Sequence, residues 1–376
     1  MKVLVNAVSI SEGGSLVVLE RLLAAMIPHG QDIEWHAVVH PAVAARNALP
    51  NAVRQWTFPS VAVSPAHLFF WYEVTLPRLA RRIGANLVFS QTNYLPRRRL
   101  ACPTLLLVQH AGHFSHEFSR LMEQHLGTRK SIVAWRRKGA WVRSSVRVAS
   151  QVIVQTAALA KAIRADAWLP AGQIDVVPHG PGVVSVVDQP PAPRAEGPWR
   201  VGYVSKFGVQ KDFATALRAH RVLLDRGLDV TLVLTLDPAV QGFAAIDRLV
   251  DELGTRDRVD NRGEVEMGGL QPLYDSLDAF VFPSLCESFG FPLVEAMARG
   301  LPVTVARTAS NLEVGRGDVP SFSPGDSRAL ADILEPLMRS AALREAQSRR
   351  SLDVAGRYSW DRAARNTLDV IARTAR

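Results

Sequence analysis

The stretch Asp278-Ala-Phe-Val-Phe-Pro-Ser284, followed by Glu287-Ser-Phe-Gly-Phe-Pro-Leu-Val-Glu295 and Leu301-Pro-Val-Thr-Val-Ala306, reads as strand, loop, helix and strand. Its first and last segments are short apolar runs bounded by turn residues, the pattern of strands buried on both faces. Pro292 suits a first helical position, where no amide hydrogen is needed, and Gly300 with Pro302 stops the helix. A helix that starts after a glycine-containing loop at a strand's carboxyl end presents unpaired N–H groups and its positive dipole end, which suits a phosphate. Ser288, Phe289, Gly290 and Phe291 form that turn; Glu287 lies in the loop before it, and Glu295 lies one turn into the helix, within reach of ribose hydroxyls beside the phosphate. Acid pairs at this spacing are common on solvated helices, and spacing alone also fits a two-carboxylate site of the glycosidase kind. The strand–loop–helix context favours ligand binding over both.

Outward from this unit, strand-like and helix-like patterns alternate, which predicts parallel sheets covered by helices. In the first half the strand candidates are Lys2–Val8, Trp35–His40, Asn86–Ser90, Thr104–Gln109, Gln151–Thr156 and Ile174–Pro178. A helix from about Ser15 to Ile27 carries Leu16, Leu19, Leu22, Leu23 and Met26 on one face. Pro181 to Pro198, with Pro190-Pro191-Ala-Pro193 and Glu196-Gly-Pro198, interrupts the alternation as a linker would. A second alternation follows: strand Trp199–Ser205, helix Asp212–Arg226, strand Val230–Thr235, helix Ala239–Leu253, the 278–306 unit and a terminal helical region. At 376 residues the chain exceeds what one core usually serves. The expectation is an α/β protein of two Rossmann-like doubly wound domains facing a central cleft. Their bounds are 1–185 and 200–355, with a linker at 186–199 and a C-terminal helix at 356–376 that packs back on the first domain.

Charge is uneven. Residues 1–190 carry 20 Lys and Arg against 10 Asp and Glu, a balance of +10, whereas residues 191–376 carry 24 against 25. The excess gathers in Arg97-Arg98-Arg99 and in the stretch 129–147, where Arg129, Lys130, Arg136, Arg137, Lys138, Arg143 and Arg147 interleave with Trp135 and Trp141. Such a stretch suits an anionic membrane surface or an acidic lipid-linked acceptor, and equally a solvated helix whose tryptophans pack inward. No nucleic-acid-binding module is present, so nucleic acid is not an expected partner. Cys102 and Cys286 lie far apart in apolar surroundings, which suggests neither a disulfide framework nor a thiolate metal site and fits a reducing compartment. The first residues are a strand pattern rather than a secretory signal, and no apolar run reaches membrane-spanning length, so the expected location is cytoplasmic, with peripheral contact at the membrane's inner face through 129–147.

Other residues point to the same crevice. Gly13 and Gly14 open a helix after the first strand and leave room for a diphosphate or sugar against the backbone. Lys206 and Lys211 are the only lysines among the 24 basic residues of the second half, and both fall in one strand–helix loop, where a compact ammonium suits a phosphate oxygen. The apolar strand Thr104-Leu-Leu-Leu-Val-Gln109 delivers His110 to the cleft; His113 is a second imidazole nearby, with His110 favoured.

Nearly the whole chain resembles the retaining GT-B glycosyltransferases, specifically the family 4 group (glycosyl transferases group 1). The resemblance rests on Gly13-Gly14, Gln109-His110, Val176-Val-Pro-His-Gly180, Gly202-Tyr-Val-Ser-Lys206, Lys211, Gly263, the Glu287–Glu295 segment, Glu313 and Ser359-Trp360. It implies an acceptor-binding first domain, a donor-binding second domain, and transfer of a sugar from a UDP- or GDP-linked donor to a hydroxyl of a glycan or lipid-linked acceptor, as in bacterial surface polysaccharide assembly. His110, Lys206, Lys211 and Glu287 then carry the chemistry: the lysines neutralise the departing diphosphate, His110 contacts the transferred sugar, and Glu287 binds its hydroxyls. Glu295 holds the ribose, backbone around Gly263 and Val265 reads the base, and Asn93 and His113 fall on the acceptor side. No Asp-X-Asp pair occurs in the chain, so no metal and no other cofactor is expected. Departures from the family pattern are Lys206 where Arg is common, Ala111 where Asp often follows the histidine, His179 in place of Asn, and Leu234-Thr-Leu-Asp237 where glycines are usual. Competing readings are a nucleotide-sugar epimerase or hydrolase on this scaffold, and a non-enzymatic basic protein that binds a membrane surface or nucleic acid.

Overall fold

In the computed structural model, which describes residues 1–167, 171–192 and 197–376, the chain divides into two units, Met1–Gly180 with Ser359–Arg376 and Pro181–Tyr358. The first is built on seven parallel strands: β1 (Lys2–Ala7), β2 (Glu34–Val39), β3 (Val53–Thr57), β4 (Leu87–Ser90), β5 (Thr104–Leu107), β6 (Gln151–Val154) and β7 (Ile174–Val176), in the order β3-β2-β1-β4-β5-β6-β7. The second holds six: β8 (Trp199–Tyr203), β9 (Val230–Leu234), β10 (Val259–Asn261), β11 (Ala279–Phe282), β12 (Val303–Ala306) and β13 (Ser321–Phe322), in the order β10-β9-β8-β11-β12-β13. Each order reverses once, between β1 and β4 and between β8 and β11, and at such switch points the loops leaving the carboxyl ends part to form a crevice. The central strands β4, β5, β11 and β12 are buried along their whole length, as sheets covered on both faces require.

Three strands were absent from the sequence expectation. β3 and β10 lie at sheet edges and carry polar residues, as in Val-Arg-Gln-Trp-Thr and Val-Asp-Asn, and β13 is two residues long, so none shows an apolar run. The expected linker needs correction. Residues 193–196, including Pro193 and Glu196, lie outside the described residues, but 181–192 belong to the second unit. Ser185 N and Oγ donate to Gln271 Oε1, each at 3.1 Å, and the Val187 amide donates to Ala298 O at 2.9 Å. The second boundary falls at Tyr358 because its hydroxyl donates to Val314 O at 2.8 Å. The last helix, Trp360–Thr374, belongs to the first unit, where it packs along helix Gly13–Met26 and pairs His29 with Asp361 at 2.6 Å and Arg373 with Asp175 at 3.0 Å. Gly180 abuts Trp360 so closely that a Cβ there would stand 2.6 Å from the Trp360 nitrogen, and His179 stacks on the indole. Among the described residues no helix is long and apolar enough to cross a membrane.

Candidate functional site

In the second unit the loops after β8 and β11 meet at the switch point. The Leu285 amide donates to Gln210 O at 2.8 Å, and Asn311 Nδ2 donates to Ser284 O at 2.9 Å, so the β11 loop is held from both sides. Lys211 Nζ and Glu287 Oε1 are 2.5 Å apart, each side chain only 13% exposed. Ser284 Oγ donates to the same carboxylate oxygen at 2.5 Å, Lys211 lies over the Phe282 ring, and Tyr203 OH fixes the Lys211 carbonyl at 2.6 Å. The next residue, Asp212, adopts a left-handed conformation (φ 43°) and caps helix Phe213–Asp225 by accepting from the Thr215 amide. The cation and the anion expected to meet phosphate and sugar thus meet each other. Ser284 and Gln210, which complete this cluster, were not singled out in the sequence, although Ser284 stands inside the opening stretch.

Lys206 behaves differently. It reaches Glu264 at 2.5 Å with more than half of each side chain in solvent, so the two lysines of one loop occupy opposite environments. Gly290 sits at φ +86°, the left-handed turn that starts helix Phe291–Ala298. Phe289 is buried against Phe291 and Tyr358, and Ser288 is half-buried beside it.

Glu295 departs from the open ribose contact expected of it. It is 4% exposed; Oε1 accepts from the Val183 amide at 3.1 Å and Oε2 from Tyr274 OH at 2.9 Å. Burial raises its pKa, and those two hydrogen bonds oppose the rise. Gly182 permits the approach, since a Cβ there would fall 1.9 Å from Oε1. Gly182 was the sequence signal for this contact, lost in a segment read as linker.

At the β9 end, Gly263 is left-handed (φ +68°) with its amide directed at Asn261 Oδ1, and Val265 packs against the core. Asn261 also bonds both backbone groups of Leu236, and Thr235 Oγ1 accepts from the Ser205 amide at 2.9 Å, so side chains hold the 234–237 turn where glycines were expected.

The first unit has its own switch point. Helix Gly13–Met26 starts at Gly13 (φ +67°), two residues earlier than expected, and Gly14 lies in its first turn. Beneath it Asn6, Tyr72, Ser90 and Thr92 form a buried polar network, with Tyr72 OH and Thr92 Oγ1 at 2.5 Å. Asn93, left-handed at φ 66°, accepts from the Gln109 amide at 2.6 Å and so pins the loop after β4 to the end of the next strand. His110 is half-buried. His113 is stacked on Trp135 with ring centres 4.4 Å apart, and its pKa is lowered to about 3, mainly by burial and then by the charges of His110, Arg143 and Lys138. His113 is thus the more enclosed of the two imidazoles. Trp135 and Trp141 both turn inward, Trp141 donating to Leu95 O at 3.0 Å and packing on Tyr72 and Tyr94.

Residues 188–353 match the family model described as glycosyl transferases group 1. The chain is 32% identical over 221 residues to the D-inositol 3-phosphate glycosyltransferase of Xylanimonas cellulosilytica, covering 54% of this chain and 52% of that one. It is 30% identical over 263 residues to the MMP alpha-(1->4)-mannosyltransferase of Mycolicibacterium hassiacum, covering 66% and 61%. The chain therefore spans between half and two thirds of the length of these curated relatives. Among solved structures it is similar to Anabaena Alr3699/HepE in complex with UDP and glucose, with a TM-score of 0.71, 18% identity and coverage of 99% and 100%. That likeness shows the fold, two Rossmann-like units of the GT-B kind. The matched residues, 188–353, make up nearly all of the second unit.

Proposed function

We propose that the protein transfers a sugar from a nucleoside diphosphate to an acceptor hydroxyl with retained anomeric configuration, as a GT-B enzyme of family 4. The observation that carries this reading is the Lys211–Glu287–Ser284 cluster at the β8/β11 switch point, beside the start of helix Phe291–Ala298 and inside the matched segment. Lys211 and the helix start meet the charge of the departing diphosphate, which is the dominant catalytic contribution. Lys206, already in solvent, adds a second cation at the mouth of the same loop. Glu287, released from Lys211 by the phosphate, binds hydroxyls of the sugar. Attack comes from the face the diphosphate leaves, a donor phosphate oxygen accepts the acceptor's proton, and His110 steadies the sugar. Glu295 takes the ribose once a ribose hydroxyl replaces the single backbone N–H now on Oε1, and backbone around Gly263 and Val265 reads the base.

UDP is the first donor base to try because Alr3699/HepE is described with UDP and glucose. The acceptor on this reading is a hydroxyl of a glycan or lipid-linked compound, as in surface polysaccharide assembly, and the inositol phosphate name of one relative supports a polar acceptor. The reaction proceeds without a metal ion. Thermal-shift titration against UDP, GDP, ADP and TDP and their sugars tests the reading, since a ligand at about 100 times its Kd stabilises the folded chain by roughly 2.7 kcal/mol. No shift with any of them, or an equal shift in Lys211→Ala, refutes it.

A further inference from the structure

A second feature belongs to the first unit. Between Pro59 and Pro103 the chain carries six arginines, at 78, 81, 82, 97, 98 and 99, and one acid, Glu73. Three of them, Arg81, Arg98 and Arg99, line a cavity of about 290 Å³ with Glu73 at its wall and Cys102 at its end. Among the described residues these three guanidinium groups make no ion pair, whereas Arg136, Arg143, Arg200, Arg226, Arg256 and Arg258 do. Glu73 is occupied, accepting from the Arg97 amide at 2.9 Å. The cavity opens where helix Leu76–Ile83 ends and where β4 and β5 begin. That is the amino-terminal edge of the sheet, opposite the carboxyl ends where doubly wound sheets hold their reacting ligands.

The same run of chain exposes apolar surface: Val63 is 69%, Phe69 40% and Phe70 56% exposed. Arg97 lies over the Phe69 ring at 5.0 Å, and that ring also meets Trp141 edge-on. Apolar side chains at the surface beside unpaired cations are what an anionic bilayer covers, since the rings enter the interface and the guanidinium groups meet headgroup phosphates. We propose that residues 63–82 and 96–102 form a docking face for an anionic phospholipid bilayer, with a headgroup phosphate held by Arg81, Arg98 and Arg99. The face differs from the 129–147 stretch, whose tryptophans are turned inward. It does not depend on the transferase reading.

The test is flotation of the full chain with phosphatidylcholine vesicles with and without about 30% phosphatidylglycerol. The parent should bind only the anionic vesicles. The variant R81A/R98A/R99A should bind them at least about tenfold less, and F69S/F70S should weaken binding while keeping its dependence on phosphatidylglycerol. A surface control, R248A/R350A, should bind as the parent does, and circular dichroism melts check that each variant is folded. Equal binding by parent and R81A/R98A/R99A, binding that ignores vesicle charge, or competition by duplex DNA but not by vesicles overturns the proposal.

Discussion

The Lys211–Glu287 pair offers the sharpest test because its stability and its chemistry should respond differently to the same substitutions. Lys211→Met leaves the Glu287 carboxylate 13% exposed with Ser284 Oγ as its remaining partner in the cluster. Breaking a buried pair from one side costs about 3–5 kcal/mol, and the residual water access and the Ser284 bond bring the expectation to the lower end. Glu287→Gln keeps the shape and an acceptor but strands the ammonium over the Phe282 ring, for a cost of roughly 1–3 kcal/mol. The double variant holds no charge, so its cost should fall short of the sum by about 1–3 kcal/mol. Equilibrium urea unfolding of the full chain measures this through the midpoint at constant slope. Catalysis should show no such relief. Each single variant and the double should lose roughly a hundredfold or more in kcat/KM, because a neutral double still lacks the cation for the leaving group. Stability effects additive to within about 0.5 kcal/mol would refute the pairing, and recovery of kcat/KM in the double would refute the catalytic role.

Further expectations concern the same helix and the metal question. Glu295 has a folded pKa above the ordinary value of 4.5, so the folded state binds the proton more tightly than the unfolded one. Its contribution is full below that value and is lost as pH rises through the raised pKa; Glu295→Gln should flatten that decline in a series of melts. Gly290→Ala places a side chain at φ +86° with its Cβ 3.1 Å from the Phe282 ring, so thermal melts should show a loss of about 1–2 kcal/mol and a smaller donor-induced shift. Sugar transfer should persist undiminished after EDTA treatment, and restoration by Mg²⁺ or Mn²⁺ after such treatment would refute metal independence.

What the sequence disclosed and what it hid follow the range of the contacts. Strand β11 announces itself because burial on both faces demands a continuous apolar run, and β8 is legible from its buried end, Val201-Gly-Tyr203. The helix start at Gly290 and Pro292 was readable because glycine and proline act through their own backbone. Pairings across the sheet leave no local mark. Nothing near Glu295 in sequence tells that Val183, 112 positions earlier, and Tyr274 close over it. The two lysines looked equivalent by composition; only the fold separates Lys211, tucked over Phe282, from Lys206 in solvent. The two histidines were left open for the same reason, since Trp135, which walls in His113, arrives from a different helix.

The two glutamates of the opening stretch therefore cannot act as a matched acid pair. Glu287 is an anion held by a cation, whereas Glu295 is a carboxyl group whose burial favours the proton and whose partners are neutral donors. An anion arriving at Lys211 must compete with Glu287 for the ammonium, and each step toward the anion loosens Glu287 from that cation. On the proposed reading this exchange couples the two ends of the donor: phosphate binding alone leaves a poorly solvated carboxylate without a cation, and a sugar hydroxyl is the group that relieves it. A bare nucleoside diphosphate should then gain less from Lys211 than the matching nucleotide-sugar does. On that reading the Lys211–Glu287 pair favours the complete donor over the spent one.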